Sequence, residues 1–310
     1  TLVNALETNN GVHPGFRRNH AKGVCVAGYF QSSTEARAYS SAQVFSEAKT
    51  PIIGRFALPS GNPYAPDSSV PIRSFAVQFS QANGQQWRTG MNSMPVFPVG
   101  TPEAFYQLIK AGAPDPATGK PNPSSMPAFF AAHPETAPFL AWVKTAKPSA
   151  SYATETYNGI NAFYLVAADG TRQAVRWEVV PQSQDAAGDT APAGSDFLEQ
   201  DLVRRLAAGP LRWQLNMTLA NPGDPLDDAS KTWSGAHKVL NAGTLVLQSS
   251  QPQADGDCRD INFDPLILPS GIQASNDPLL AARSAAYASS YLRRAGEVSP
   301  LHSAPQESKP

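Results

Sequence analysis

The feature that most constrains the fold of this chain is a period-two alternation of side chains followed closely by a tight-turn dipeptide. Residues 72–79 alternate in this way, and Asn83 and Gly84 come shortly after them. Alternation predicts a strand with one buried face, and Asn-Gly is the strongest short signal for a hairpin. Because residues 86–89 begin a return strand, an antiparallel pair is predicted here.

Further strands and helices follow along the chain. Strands are predicted at residues 22–30, 161–166, 172–180, 211–217 and 243–247, and residues 95–99 extend the alternating pattern. Helices are predicted to begin at Thr101 and to cover residues 128–144, 196–208 and 278–294. Residues 1–19 are interpreted as an N-terminal arm and residues 181–194 as a polar linker. Antiparallel strands interleaved with helices favour an α+β fold, with a closed barrel as one form of the sheet.

The length and charge of the chain limit its functional class. With 310 residues it can bury a sizeable core, as one large domain or two medium ones. The formal net charge is −1, from 24 Lys and Arg against 25 Asp and Glu, without a block of like charges. Nucleic acid and membranes are therefore not expected partners. No apolar run approaches the roughly 18 residues that span a bilayer.

The two cysteines, Cys25 and Cys258, are too few for a disulfide framework. Because Cys25 lies in the apolar run 24–30, a buried free thiol is favoured over a bridge between them. The sequence has no CxxC motif and no His/Cys spacing that suits zinc. It begins at Thr1 without methionine, which is typical of a processed, exported protein.

His20 is the first candidate for chemistry. A lone histidine is usually structural, but this one has Arg17, Arg18 and Lys22 close to it in the sequence. A cationic neighbourhood lowers the pKa of imidazole and favours its neutral form. The neutral form is the one that accepts a proton as a general base.

Tyr287 is the second candidate. An aromatic residue in a helix usually belongs to the buried face, but Arg283 precedes this one by a helical turn, so both side chains lie on one face. A phenol with a pKa near 10 needs a strong cation beside it to serve as an anionic ligand at neutral pH. Arginine is suitable because it stays protonated. Tyrosinate is the haem ligand that catalases use.

Four segments, in order along the chain, carry a family resemblance. They are residues 17–23 (Arg-Arg-Asn-His-Ala-Lys-Gly), residues 73–79, residues 91–97, and the set 263–265, 269–273 and 283–287. With these segments the chain resembles the haem catalases, and more closely the short catalase-related peroxidases, from about residue 11 to residue 294.

The resemblance implies an architecture. It is a single catalase-core domain over residues 1–310, with an antiparallel eight-stranded β-barrel, surrounding helices and no C-terminal domain of the full-length enzymes. Residues 278–294 would be the proximal haem-ligand helix, and residues 299–310 a flexible tail.

The resemblance also implies roles around haem b. His20 would move the peroxide proton and Asn92 would hydrogen-bond the peroxide. Tyr287 would be the axial ligand of the iron, and Arg283 would hold it as phenolate.

Four more residues would contact the porphyrin. Arg17, Arg55 and Arg294 would pair with the haem propionates, where bidentate geometry is useful. Phe105 would pack on the distal face of the ring.

Three departures from the family pattern are informative. Asn19 replaces a valine before the distal histidine, Ala57 replaces a serine whose hydroxyl orients that histidine, and Asn161 replaces a histidine of the barrel. Without the serine hydroxyl, His20 is expected to be held less firmly. The departures argue against efficient dismutation and for a peroxidase.

The predicted function is therefore a haem-dependent peroxidase with weak catalase activity. It would reduce hydrogen peroxide and organic hydroperoxides with a small organic electron donor. The alternatives are a true catalase, a fatty-acid hydroperoxide isomerase or dehydratase, and a haem-carrying barrel without distal chemistry. A homodimer in the bacterial periplasm is expected, with the cytoplasm as the alternative compartment.

Overall fold

Antiparallel strands dominate the part of the protein that the computed structural model describes, which is residues 1–115, 117–182 and 194–297. The strands are β1 Gly23–Ser32, β2 Thr50–Ala57, β3 Ser74–Ser80, β4 Gln86–Asn92, β5 Tyr157–Asn158, β6 Phe163–Val166, β7 Arg172–Pro181, β8 Leu211–Leu219, β9 Val239–Pro252 and β10 Ile272–Ala274. The predicted tail at 299–310, and all but the ends of the predicted linker at 181–194, lie outside the described residues.

Eight of these strands close into a barrel. The pairing runs β7-β5-β4-β3-β2-β1-β9-β8, and β8 pairs back with β7. Strands β6 and β10 extend outward from β7. All pairings are antiparallel, so the predicted eight-stranded α+β barrel is confirmed.

The barrel interior is a packed aromatic core. Phe56 stacks on Phe75 at 4.3 Å and on Tyr152 at 4.8 Å between ring centroids. Phe79 stacks on Trp87 at 4.4 Å. Barrels of this size are wide enough only for their own side chains, so a large ligand must bind outside the barrel.

Helices cover the barrel. They are α1 Leu2–Asn10, α2 Pro102–Ala111, α3 Ser125–Ala132, α4 Ala137–Val143, α5 Phe197–Ala208 and α6 Pro278–Glu297. The predicted start of α2 is confirmed, since the Thr101 hydroxyl accepts from the Ala104 N–H and Pro102 occupies the first turn. None of the helices in the described ranges has the length and apolar character that a membrane span requires.

The predicted N-terminal arm, residues 1–19, includes the helix α1, whose Val3 and Ala5 are buried. Two predictions about regular structure were wrong. Residues 128–144 form α3 and α4 instead of one helix, because His133, which precedes Pro134, leaves the helical conformation. Residues 95–99 form no strand, since their two prolines lack the N–H that a sheet requires.

The prediction of free thiols was also wrong, because Cys25 and Cys258 form a disulfide. Val24 and Val26 face the barrel core, whereas Cys25 packs with Cys258 and Phe263 on the other side of β1. The apolar run around Cys25 accounts for its burial. It contains no signal for a partner 233 residues away.

Candidate active site

A cavity lies between the outside of the barrel and α6. It encloses about 1370 Å³ of empty space, its opening to solvent included. All eight predicted site residues line it: Arg17, His20, Arg55, Asn92, Phe105, Arg283, Tyr287 and Arg294. The fold therefore brings together residues from both ends of the chain.

The barrel wall of the cavity is built from three adjacent strands, β2, β3 and β4. Cross-strand pairing places its residues in two rows, Arg55–Ala76–Gly90 and Ala57–Ser74–Asn92. Four of these six residues are Gly, Ala or Ser. Small side chains leave room beside the wall for a bulky group.

His20 enters the cavity from a strained backbone. Its φ is +55°, in the left-handed region that residues other than glycine rarely adopt. The His20 N–H donates to Asn19 Oδ1 at 3.0 Å, which supports this turn. Strain of this kind clusters at functional sites.

The His20 ring is neutral in this environment. Its pKa is lowered to about 3, mainly by desolvation and also by the nearby guanidinium charges of Arg55, Arg283 and Arg17. Its Nδ1 is buried and has no hydrogen-bond partner among the described residues. Ala57 lines the same cavity and has no hydroxyl to offer. A neutral imidazole can accept a proton, as the sequence predicts.

Asn92 is oriented by Ser74. The Ser74 hydroxyl donates to Asn92 Oδ1 at 2.6 Å, so the Asn92 amide nitrogen is the group left to donate into the cavity. The sequence analysis missed this role of Ser74. The signal that could have found it is the hairpin, whose register places residues 74 and 92 opposite each other.

Tyr287 and Arg283 meet as predicted. Arg283 Nη2 lies 3.3 Å from Tyr287 Oη and also donates to the Gly90 carbonyl at 3.2 Å. Arg283 Nη1 donates to Asn161 Oδ1 at 2.5 Å, and Asn161 Nδ2 donates to Asp277 Oδ2 at 2.7 Å. Hydrogen bonds to Gly90 and Asn161 thus hold the Arg283 guanidinium in place, and the same guanidinium faces the phenol of Tyr287.

Gly90 is a second residue that the sequence analysis missed. A Cβ at this position would lie 3.1 Å from Arg283 Nη2 and 3.8 Å from Tyr287 Oη. A side chain would therefore press on the guanidinium. The absence of a side chain at Gly90 is what allows the Arg283–Tyr287 pair to approach the barrel wall.

Arg17, Arg55 and Arg294 form a cationic cluster. Burial lowers the pKa of all three, and it lowers that of Arg55 to about 10. The charges of Arg55 and Arg294 lower the pKa of Arg17 further. The carboxylate of Asp260 lies 3.7 Å from Arg294. Buried cations that repel one another favour an anionic ligand.

Phe105 provides an apolar wall. It is on α2, and its ring packs against Phe97 with 5.0 Å between centroids. Leu2 and Leu6 of α1 line the cavity as well. The cavity is thus apolar on the side of α1 and α2 and cationic at the arginine cluster.

Comparison with known proteins shows the family of this chain. A model of the catalase family matches residues 9–300. The chain belongs to the catalase family. A catalase-related peroxidase of Synechococcus elongatus is 40% identical over 298 residues, which cover 94% of this chain and 87% of that protein. A catalase-related peroxidase of Mycolicibacterium paratuberculosis is 30% identical over 298 residues, which cover 95% of this chain and 94% of that protein.

Solved catalases share the fold of this family member. A fungal catalase superposes with a TM-score of 0.80 at 19% identity, over 92% of this chain and 60% of that one. A bacterial catalase superposes with a TM-score of 0.79 at 21% identity, over 91% of this chain and 58% of that one. The chain thus spans about three fifths of the length of these solved catalases.

Membership of the catalase family implies a haem cofactor. The residues present fit such a group. The donor set combines a phenol beside a guanidinium with three arginines suited to carboxylates, of which Arg55 and Arg294 are buried and Arg17 is half-buried. Within the described ranges Arg55 Nε is buried and has no hydrogen-bond partner, and the wall at Gly90 has no side chain to fill the space. The cavity thus offers a phenol that could bind the iron and cations that could bind the carboxylates of a haem.

Proposed function

We propose that the protein is a haem b peroxidase that reduces hydrogen peroxide and organic hydroperoxides with a small organic electron donor. The observation that carries the proposal is the neutral, half-buried His20 in one cavity with the Tyr287–Arg283 pair and the arginine cluster. Bound haem would supply an iron centre that takes up two oxidising equivalents from the peroxide. The relatives named catalase-related peroxidase support this reading.

His20 and Asn92 carry the proton chemistry. The neutral imidazole accepts the proton of the peroxide, and the Asn92 amide donates a hydrogen bond to a peroxide oxygen. The same imidazole returns the proton to the leaving oxygen. Overall, ROOH and two one-electron donors AH give ROH, water and two A radicals.

The other site residues hold the cofactor. Tyr287 would bind the iron as phenolate, with the Arg283 guanidinium 3.3 Å from its oxygen. Arg17, Arg55 and Arg294 would bind the two haem carboxylates, and Phe105 would pack on the ring.

The unpartnered Nδ1 of His20 favours a peroxidase over a true catalase. Dismutation requires the same imidazole to handle protons from two peroxide molecules in succession. A ring fixed by a hydrogen bond at Nδ1 keeps one tautomer and one orientation. His20 has no such bond among the described residues. We therefore expect dioxygen release to be weak.

The test compares two reactions of the purified holoprotein at equal peroxide concentration. One assay measures dioxygen release, and the other measures oxidation of a phenolic dye, each with hydrogen peroxide and with cumene hydroperoxide. We expect dye oxidation with both peroxides to exceed dioxygen release. Vigorous dioxygen release would show a true catalase instead.

Two further experiments test whether the reaction needs His20 and whether the protein binds haem. His20→Ala is expected to retain haem and to lose dye oxidation. Retained oxidation in this variant would contradict the role of His20 and leave a haem-carrying barrel. The absence of a Soret band after reconstitution with haem would refute the whole proposal.

We propose the bacterial periplasm as the compartment and a homodimer as the assembly. The Cys25–Cys258 disulfide supports an oxidising compartment, where such bonds persist. Fractionation of the source cells tests the compartment, and sedimentation of the holoprotein tests the assembly. Recovery in the cytoplasm or as a tetramer would contradict these two proposals.

A further inference from the structure

The segment 253–262, here called the carbonyl loop, connects β9 to the cavity wall at Phe263 and contacts all three arginines of the cluster. Arg17 Nη2 donates to the carbonyl oxygens of Cys258, Arg259 and Ile261 at 3.1, 3.2 and 2.9 Å. Arg294 Nη1 donates to the Arg259 carbonyl at 2.7 Å. Arg55 Nη2 donates to Gln253 Oε1 at 2.5 Å. The positions of these guanidinium groups therefore depend on the carbonyl loop.

The carbonyl loop has no regular secondary structure of its own. Its internal hydrogen bonds are turn contacts, such as Arg259 N–H to the Gly256 carbonyl at 2.9 Å. Besides its chain connection to β9, the disulfide from Cys258, which is fully buried, to Cys25 ties the loop covalently to β1.

The anchor point of the carbonyl loop lies directly beside the cluster. Cys25 and Arg55 are opposite each other in the pairing of β1 with β2. A Cβ at Gly256 would lie 2.6 Å from Cys25 Sγ, so the loop backbone packs closely on the sulfur. The disulfide therefore fixes the backbone of the carbonyl loop beside the arginine cluster. Oxygen atoms of the loop accept hydrogen bonds from the guanidinium groups of that cluster.

We propose that the Cys25–Cys258 disulfide is a positioning element of the carboxylate-binding site. It holds the carbonyl loop so that Arg17, Arg55 and Arg294 are preorganised to receive the two carboxylates of haem. The inference rests on the proposed haem function. Buried cations that repel one another move apart unless their acceptors are rigid, and a site that must reorganise on binding loses affinity.

The test compares wild type with a Cys25→Ala/Cys258→Ala double variant. Haem dissociation is measured by transfer to excess apomyoglobin, well below the unfolding temperature of either protein. The same measurement is made with haem dimethyl ester, which lacks the carboxylates. We expect haem to leave the variant about 10–100-fold faster, the range shown by outer-shell partners at metal sites, and the ester to leave both proteins at the same rate.

Three results would overturn the inference. They are equal acceleration for haem and its ester, unchanged dissociation of both, and two free thiols in wild type under non-reducing conditions. A Leu202→Ala variant is the control, because Leu202 is buried on α5 and does not line the cavity. It lowers stability without touching the carbonyl loop and is expected to release haem at the wild-type rate.

A second experiment tests the inference if the double variant does not fold. Tris(2-carboxyethyl)phosphine reduces the disulfide of the folded holoprotein to two thiols and is itself oxidised to the phosphine oxide. We expect faster haem transfer from the reduced protein, and an unchanged rate would overturn the inference. If wild type with its disulfide intact takes up no haem, the proposed function fails. If the double variant retains haem as long as wild type does, the inference about the disulfide fails instead.

Discussion

At the scale of single residues, the state of His20 decides what the site can do. The residue is half-buried and its ring is neutral. Its Nδ1 is buried and has no hydrogen-bond partner among the described residues. The charge and the orientation of this ring are therefore set by separate features. Desolvation and the guanidinium groups set its charge, whereas no polar partner within the described part of the chain fixes its tautomer.

A hydroxyl at position 57 is expected to change the balance of the two peroxide reactions. Ala57→Ser offers a partner to His20 Nδ1, and one new hydrogen bond contributes about 1 kcal/mol, or about fivefold in rate. We expect the ratio of dioxygen release to dye oxidation to rise by about this factor. Ala57→Val, which adds bulk without a hydroxyl, is the control. A rise of the same size in the valine variant would contradict the explanation.

The depressed pKa of His20 also makes apoprotein stability depend on pH. The pKa rises from about 3 in the folded protein to 6.5 in the unfolded chain. Between these values the unfolded chain binds the extra proton, so the free energy of unfolding increases with pH in this window and is lost as the pH falls.

The measurement is denaturant unfolding of the apoprotein at several pH values between 4 and 6. His20→Asn is expected to lower the slope of unfolding free energy against pH by about 1 kcal/mol per unit. Equal slopes in the two proteins would show that His20 is not buried in the neutral form.

At the scale of elements, the site is a contact between a strand and a helix. Strand β4 passes α6 at Gly90, next to Arg283 and Tyr287. The hairpin of β3 and β4 and the helix α6 were both predicted, because turn residues and side-chain periodicity can be recognised from residues that are close together in the sequence. The roles of Ser74 and Gly90 were not predicted, since they arise from cross-strand register and from the packing of segments far apart in sequence.

Adding a side chain at Gly90 is expected to weaken haem binding. In Gly90→Ala the new methyl lies 3.1 Å from Arg283 Nη2, which has to move by a few tenths of an ångström while Asn161 holds the other nitrogen of the guanidinium. Overpacking of this kind costs about 1–3 kcal/mol, so we expect haem affinity to fall about tenfold or more. Haem titration followed at the Soret band measures it. Gly112→Ala is the control, because a Cβ there meets nothing closer than 3.8 Å, and equal losses in both variants would contradict the prediction.

At the scale of the whole molecule, the barrel acts as a solid support. Aromatic side chains fill the interior of the barrel, and the cavity lies against the outer face of the barrel. The closed fold followed from the resemblance in sequence, but the disulfide and the helix α1 did not. A bond between residues 233 apart and the packing of a short N-terminal helix depend on the assembled tertiary structure.

Haem is expected to stabilise the whole molecule. A ligand that binds only the folded state adds about 2.7 kcal/mol at a free concentration of 100 Kd, which corresponds to a rise in Tm of about 5 °C or more. Thermal unfolding followed by circular dichroism, with and without haem, measures the effect.

Arg17→Met is expected to lose most of this haem-dependent gain, because it removes one cation of the cluster. Arg212→Met changes an exposed residue of β8 and is expected to keep the gain. A Tm that does not respond to haem in wild type would show that the cavity is not a haem site.

The closure of the barrel has a consequence for how the protein is made. Strand β1 pairs with both β2 and β9, and β9 leaves the ribosome more than 200 residues after β1. Strand pairings this distant in sequence form slowly. Tyr287 and Arg283 emerge later still. Nascent chains therefore have no complete cofactor site until α6 has emerged.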